Sequence, residues 1–185
     1  MAGRDPWVFP DPDGDGWHML ITARANHGVP DDRGVIGHAR STDLYTWSAQ
    51  PPLSQPGAGF GHLEVPQVAE IDGRVLLIFS CLADEYAAWR KKMGVSAGVW
   101  AVAADSPLGP FDVAAAHPLT SATFYAGRIA RDRRGQPVLM PSTTRTTADS
   151  SATPPTPSIP VVWSSETTLA TVGLKTRSHP TKPAR

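Results

Sequence analysis

Two short stretches decide the fold: Arg4-Asp5-Pro6-Trp7-Val8-Phe9 and Leu63-Glu64-Val65-Pro66-Gln67-Val68. Each runs into an Asp/Gly turn, and each turn leads into an apolar strand. After the first comes Trp17-His18-Met19-Leu20-Ile21; after the second, Val75-Leu76-Leu77-Ile78-Phe79. A third copy reads Phe124-Tyr125-Ala126-Gly127-Arg128-Ile129, then Arg134-Gly135, then Val138-Leu139-Met140. Aligned this way, Asp5 matches Glu64 at a spacing of 59 and Glu64 matches Tyr125 at 61. A repeat of about sixty residues is one supersecondary unit used several times.

Each unit continues alike. Val35-Ile36-Gly37-His38-Ala39 is a third strand, and Ser41-Thr42-Asp43-Leu44-Tyr45-Thr46-Trp47 turns into a fourth. In the second unit Gly98-Val99-Trp100-Ala101-Val102-Ala103 is the third strand, and Asp105 to Phe111 is the matching turn. Four short strands per unit make a propeller blade, whose innermost strand lines a central channel. Equivalent inner-strand positions converge on that axis. Asp5, Glu64 and Tyr125 are therefore expected around one pocket, with two carboxylates facing each other as glycosidic cleavage requires. The expected fold class is all-β, a partial β-propeller of about two to three blades.

Composition agrees. Sixteen glycines, 19 prolines and six tryptophans punctuate short apolar runs, and the best helix candidate, Asp84 to Met93, is short. Seventeen basic and 17 acidic residues cancel, and the longest basic run is Arg90-Lys91-Lys92, so a nucleic-acid partner is not expected. The lone cysteine, Cys81, lies in an apolar run and reads as a buried hydrophobe. No charged leader precedes an apolar stretch, and no apolar run is long enough to span a membrane. The expectation is a soluble, cytoplasmic chain.

Beyond Met140 the composition changes. Residues 141 to 159 are about three-quarters Ser, Thr and Pro, which reads as disordered. The expected division is a partial propeller over residues 1–140 and a low-complexity tail over 141–185. A natural linker and a shifted reading frame both account for the change. Ile159-Pro160-Val161-Val162-Trp163 is the apolar cluster beyond it.

Arg4-Asp5-Pro6 and Glu64-Val65-Pro66 resemble the Arg-Asp-Pro and Glu-Cys-Pro motifs of glycoside hydrolase family 32, the five-bladed β-fructosidases. The turns at residues 41–44 and 105–111 are similar to turns of the same enzymes, and the resemblance covers about residues 3 to 140. It implies retaining hydrolysis of β-fructofuranosides such as sucrose, a phosphorylated sucrose, inulin or levan, with no cofactor. Carried over, Glu64 is the acid/base, Asp5 binds fructosyl hydroxyls and stabilises the transition state, and Arg4 positions the carboxylates and sugar hydroxyls; Tyr125 is a candidate sugar contact by its aligned position in the repeat. The resemblance also implies departures. Val65 replaces the family's cysteine, Leu63 stands where tryptophan is common, and the upstream nucleophile motif has no counterpart. This chain alone is therefore expected to be inactive. Asp11-Pro12-Asp13-Gly14-Asp15-Gly16 superficially resembles that motif but reads as a turn between strands, and no metal is assigned. His27 and His62 are candidates for the rim of a sugar site. The competing readings are a related five-bladed arabinosidase or xylosidase, and a carbohydrate-binding or decayed propeller.

Overall fold

The computed structural model describes residues 3–143, 157–165 and 168–171. Three four-stranded sheets form the frame of the fold. The first contains β1 (Arg4–Pro10), β2 (Trp17–Arg24), β3 (Gly34–Ser41) and β4 (Ser48–Gln50). The second contains β5 (Glu64–Ile71), β6 (Arg74–Cys81), β7 (Gly98–Ala104) and β8 (His117–Pro118). The third contains β9 (Phe124–Arg131), β10 (Pro137–Thr143), β11 (Ile159–Trp163) and β12 (Leu169–Thr171). In each sheet the strands lie in chain order, every neighbour antiparallel. This is the meander of a propeller blade, repeated three times. The expected helix shrinks to one turn, α1 (Ala88–Lys92), preceded by a 3₁₀ turn at Ala83–Glu85.

The run Val75 to Phe79 is apolar without alternation because its sheet is covered on both faces. Leu77 and Phe79 point into one core with Leu20, Ile36, Phe60, Tyr86 and Trp100. Leu76 and Ile78 point into the other with Val99, Ala101, Leu139, Ile159 and Val161. The second sheet is thus the central layer, and each such fully buried Leu, Ile or Phe contributes about 1.5–3 kcal/mol. Of the aromatics read as blade core, Trp100 and Phe111 are buried, while Trp17 and Trp47 are only half-buried. Phe60 meets Phe79, Tyr86 and Trp100 edge to face, at centroid separations of 5.0–5.6 Å. Arg90, 5% exposed, lays its guanidinium 4.0 Å over Phe60 and donates to the Ala58 carbonyl. Cys81 is fully buried, and burial pushes its thiol up to about 12, as expected for an inert core cysteine.

The third sheet corrects the expected boundary at residue 140. Strand β10 runs to Thr143, and β11 and β12 come from the stretch assigned to a disordered tail. The physical reason is an alternation that the average composition hid. Ile159 and Val161 are buried against the second sheet, while Pro160 and Val162 face out. Trp163 donates its indole N–H to the Ile71 carbonyl at 2.8 Å, and Leu169 is 2% exposed. Residues 144–156, 166–167 and 172–185, on which the rest of that expectation falls, lie outside the described residues.

At the far end of β1, Asp11 opens the expected turn. Its carboxylate accepts from the Asp13 backbone N–H at 3.0 Å and from Arg40 at 2.7 Å, and lies 3.3 Å from His18 Nε2. The Asp13 N–H above all holds this carboxyl below its usual range, with help from His18 and Arg40. His18 is buried, stacks on Phe9 and shares a 2.8 Å ring-nitrogen hydrogen bond with His38.

Val161→Ala is expected to cost about 1–3 kcal/mol in urea unfolding by loss of buried methyls, and Val162→Ala to stay within about 0.5 kcal/mol. A tail without packed structure would show neither difference. Burial, His18 and Arg40 hold His38 below its ordinary value of 6.5. The unfolded chain then takes up this proton first, so stability is lost as pH falls below 6.5. His38→Gln should flatten part of that loss, the remainder belonging to His62, whose imidazole is also lowered.

Candidate active site

Each inner strand carries the same bulge. Four residues of β1, Arg4 to Trp7, lie opposite three of β2, Thr22 to Leu20. Glu64 to Gln67 does the same against Ser80 and Ile78, and Tyr125 to Arg128 against Ser142 and Met140. The residue inside each bulge has a left-handed backbone: Asp5 at φ 58°, Val65 at 51° and Ala126 at 50°. A bulge bends its strand and re-aims the flanking side chains.

This register corrects the sequence alignment by one residue. The equivalent positions are Arg4, Glu64 and Tyr125; Asp5 is equivalent to Val65 and Ala126. One-residue errors are easy where a bulge inserts an extra residue, because the pleat no longer reports register. The corrected triplet is what converges. Glu64 accepts from the Arg4 guanidinium on Oε1 and from the Tyr125 hydroxyl on Oε2. One group from each sheet thus meets at a carboxylate that is 15% exposed. Asp5 sits beside them, its Oδ2 3.5 Å from Arg4 Nε.

Around these groups lie residues that the repeat did not single out. The Thr22 hydroxyl lies 3.2 Å from Asp5 Oδ2 and 3.0 Å from the Leu63 carbonyl, with one proton for two acceptors. Arg128 donates to the Pro66 carbonyl at 2.7 Å and stacks 5.1 Å over Trp7, pinning both neighbouring bulges. Gln67 exchanges two hydrogen bonds with the Ile129 backbone, at 2.9 and 2.8 Å. The signal for Arg128 and Gln67 was positional: they are equivalent to each other and to Trp7. Of the two rim histidines, His62 lies here, 3.4 Å from Glu85 Oε2 and 3.3 Å from Arg24 Nη1. Burial chiefly lowers its imidazole, Arg24 and Arg4 add to this, and Glu85 opposes it. His27 contacts its neighbour Asn26. Among the described residues no group of three or more His, Cys, Asp or Glu is placed to hold a metal.

The arrangement offers two carboxylates, a guanidinium and a phenol at one end of the inner strands. That set can hold sugar hydroxyls and move a proton at a glycosidic oxygen.

Solved structures share this fold. An inulosucrase from Halalkalicoccus jeotgali bound to kestose is similar over 93% of this chain and 51% of its own, at TM-score 0.67 and 19% identity. A family 32 β-fructofuranosidase from Bombyx mori is similar over 75% of this chain and 29% of its own, at TM-score 0.57 and 20% identity. An endo-arabinase from Bacteroides thetaiotaomicron is similar over 76% and 45%, at TM-score 0.53 and 22% identity. The chain therefore spans about half or less of the length of these proteins. No protein-family model matches the chain, and no curated protein matches it in sequence. At these identities the likeness shows the fold: a partial propeller of the kind propeller glycosidases use. No helix among the described residues is long and apolar enough to cross a membrane.

The bulges also carry strain. A β-branched residue at positive φ is an outlier, costing on the order of 1–3 kcal/mol, and Val65 is one. Thr22 has Asp5 beside it; the equivalent Ser80 has Val65, and its buried Oγ has no partner among the described residues. Val65→Asn tolerates the left-handed backbone and is expected to raise stability by about 0.5–1 kcal/mol in chemical unfolding.

Proposed function

We propose that this chain is part of a retaining glycoside hydrolase acting on β-fructofuranosides. The observation that carries the reading is the Glu64 carboxylate held by Arg4 and Tyr125, with Asp5 alongside. The resemblance of Arg4-Asp5-Pro6 and Glu64-Val65-Pro66 to the family 32 motifs supports it, as do structural neighbours whose names include inulosucrase and β-fructofuranosidase. Glu64 protonates the glycosidic oxygen as the leaving sugar departs, then takes a proton from the water that completes hydrolysis. Asp5 accepts hydrogen bonds from fructosyl hydroxyls and lies near the positive charge that develops on the ring. Arg4 and Tyr125 fix the orientation of Glu64. The nucleophilic carboxylate that attacks the anomeric carbon is outside the motifs recognised here. The ligand class is a fructose-containing oligo- or polysaccharide, and the reaction needs no cofactor.

The endo-arabinase likeness supports a second reading, an arabinoside-cleaving propeller. Arg4 directly before Asp5-Pro6 favours fructosides.

Binding tests the reading independently of turnover. Calorimetry with sucrose and kestose should show saturable binding to the purified chain. Asp5→Asn and Glu64→Gln should each weaken it at least about tenfold, the cost of breaking charge-assisted hydrogen bonds. Both variants should keep most of their stability, since an ion pair to the half-exposed Arg4 is worth about 1 kcal/mol or less. Binding of arabino-oligosaccharides in preference to sucrose would move the assignment to the second reading, and no sugar binding would remove both.

A further inference from the structure

Three residues further along the inner strands than Arg4, Glu64 and Tyr125 stand Trp7, Gln67 and Arg128, a second tier of equivalent positions where pairing resumes after each bulge. Gln67 ties the second sheet to the third through the Ile129 backbone. Arg128 reaches both other sheets at once. Its Nη1 donates to the Pro66 carbonyl at 2.7 Å, and its guanidinium carbon lies 5.1 Å from the centre of the Trp7 ring. Pro66 is two residues beyond Glu64, and Trp7 is two residues beyond Asp5. A single side chain of the third sheet therefore holds the chain just past each of the two carboxylates.

We propose that Arg128 is a positioning residue for sugar binding: by clamping Pro66 and Trp7 it fixes where Asp5 stands relative to Glu64. This rests on the fructosidase reading above. Each clamped group lacks an ordinary tether. Pro66 lies within its bulge, where the strand ladder is interrupted, and Arg128 supplies a donor to its carbonyl. The Trp7 indole N–H is buried without a partner among the described residues. That side chain is oriented by ring contacts, with Arg128 and with the apolar core around Leu20 and Phe79. The bulges hold Asp5 and Val65 at positive φ, and backbone in that region keeps its shape only where its surroundings over-determine it. Arg128 is also a charged neighbour of Asp5: burial pushes its guanidinium down, and the Asp5 carboxylate opposes this. The planar fork suits the task, because it stacks on a ring and bonds a carbonyl at the same time.

The test is calorimetric titration of the whole chain with sucrose, with urea unfolding to show that each variant folds. Arg128→Met keeps an unbranched apolar stem and removes the guanidinium. It is expected to bind sucrose at least about tenfold more weakly, because small displacements of positioned groups are costly. Val161→Ala loosens the same sheet from its core at a distance from the carboxylates, and should leave sucrose affinity within about twofold of wild type. The deciding measurement is the cycle with Asp5→Asn. Acting through the placement of Asp5, the loss of Arg128 has little left to remove in that background. The double variant should bind within about threefold of Asp5→Asn by itself. A double variant more than about threefold weaker shows Arg128 acting independently of Asp5 and overturns the proposal. So does Arg128→Met that binds like wild type, or Val161→Ala that weakens binding as much as Arg128→Met. In each of these cases the fructosidase reading stands. A wild-type chain that binds no sucrose removes that reading and this proposal together. Should Arg128→Met not fold, Arg128→Lys, which keeps the charge and loses the planar fork, takes its place with the same expectations.

Discussion

The candidate site depends on one carboxylate shared by three sheets. Glu64 leaves the second sheet and is met by a guanidinium from the first and a phenol from the third. These partners lie 60 residues before and 61 residues after it in the chain, so the contact exists only when the inner strands stand side by side. A buried carboxylate left without donors would be costly. The core below supplies the scaffold, because the central sheet is covered on both faces. The carboxylate and its two donors then set the register of the three strands at their upper ends.

The bulge makes this meeting possible and charges for it. Repeated in all three inner strands, it places a left-handed residue at Asp5, Val65 and Ala126 and turns the preceding side chain toward the shared point. Asp5 suits that backbone and gains Thr22 as a neighbour. Val65 does not suit it, and Ser80 beneath it loses the acceptor that the first sheet provides. Strained backbone and a buried hydroxyl without a partner among the described residues, in the same strand pair, are a pattern found where geometry serves chemistry more than stability.

The surroundings of Glu64 divide into two layers with different jobs. Arg128 and Gln67 face the neighbouring bulges and tie backbone to backbone. Arg24, His62 and Glu85 form a partly open rim in which donors and acceptors alternate. The inner layer makes the position of the carboxylates rigid, and the outer layer offers mixed polarity to whatever is bound.

Much of this was legible in the sequence. The sixty-residue repeat, the unbroken apolar run from Val75 to Phe79 and the paired motifs at Arg4 and Glu64 identified strands, layers and candidate carboxylates. Strand chemistry and binary pattern are local properties, and a repeat multiplies the signal. Three things were settled only by tertiary structure. The register of the inner strands was misread by one residue, because a bulge breaks the two-residue period from which register is inferred. The third sheet drew β11 and β12 from a stretch whose average composition reads as disorder, because a buried face against Leu76 and Ile78 rewards the alternation of Ile159 and Val161. The rim of Arg24, His62 and Glu85 joins residues from three distant segments, and no local pattern links them. The sequence by itself thus determined most of the segments that become strands and which side chains are candidates for the chemistry; the packing of one sheet on the next decided which of those side chains meet, since contact across a blade interface depends on register and burial that no single segment encodes.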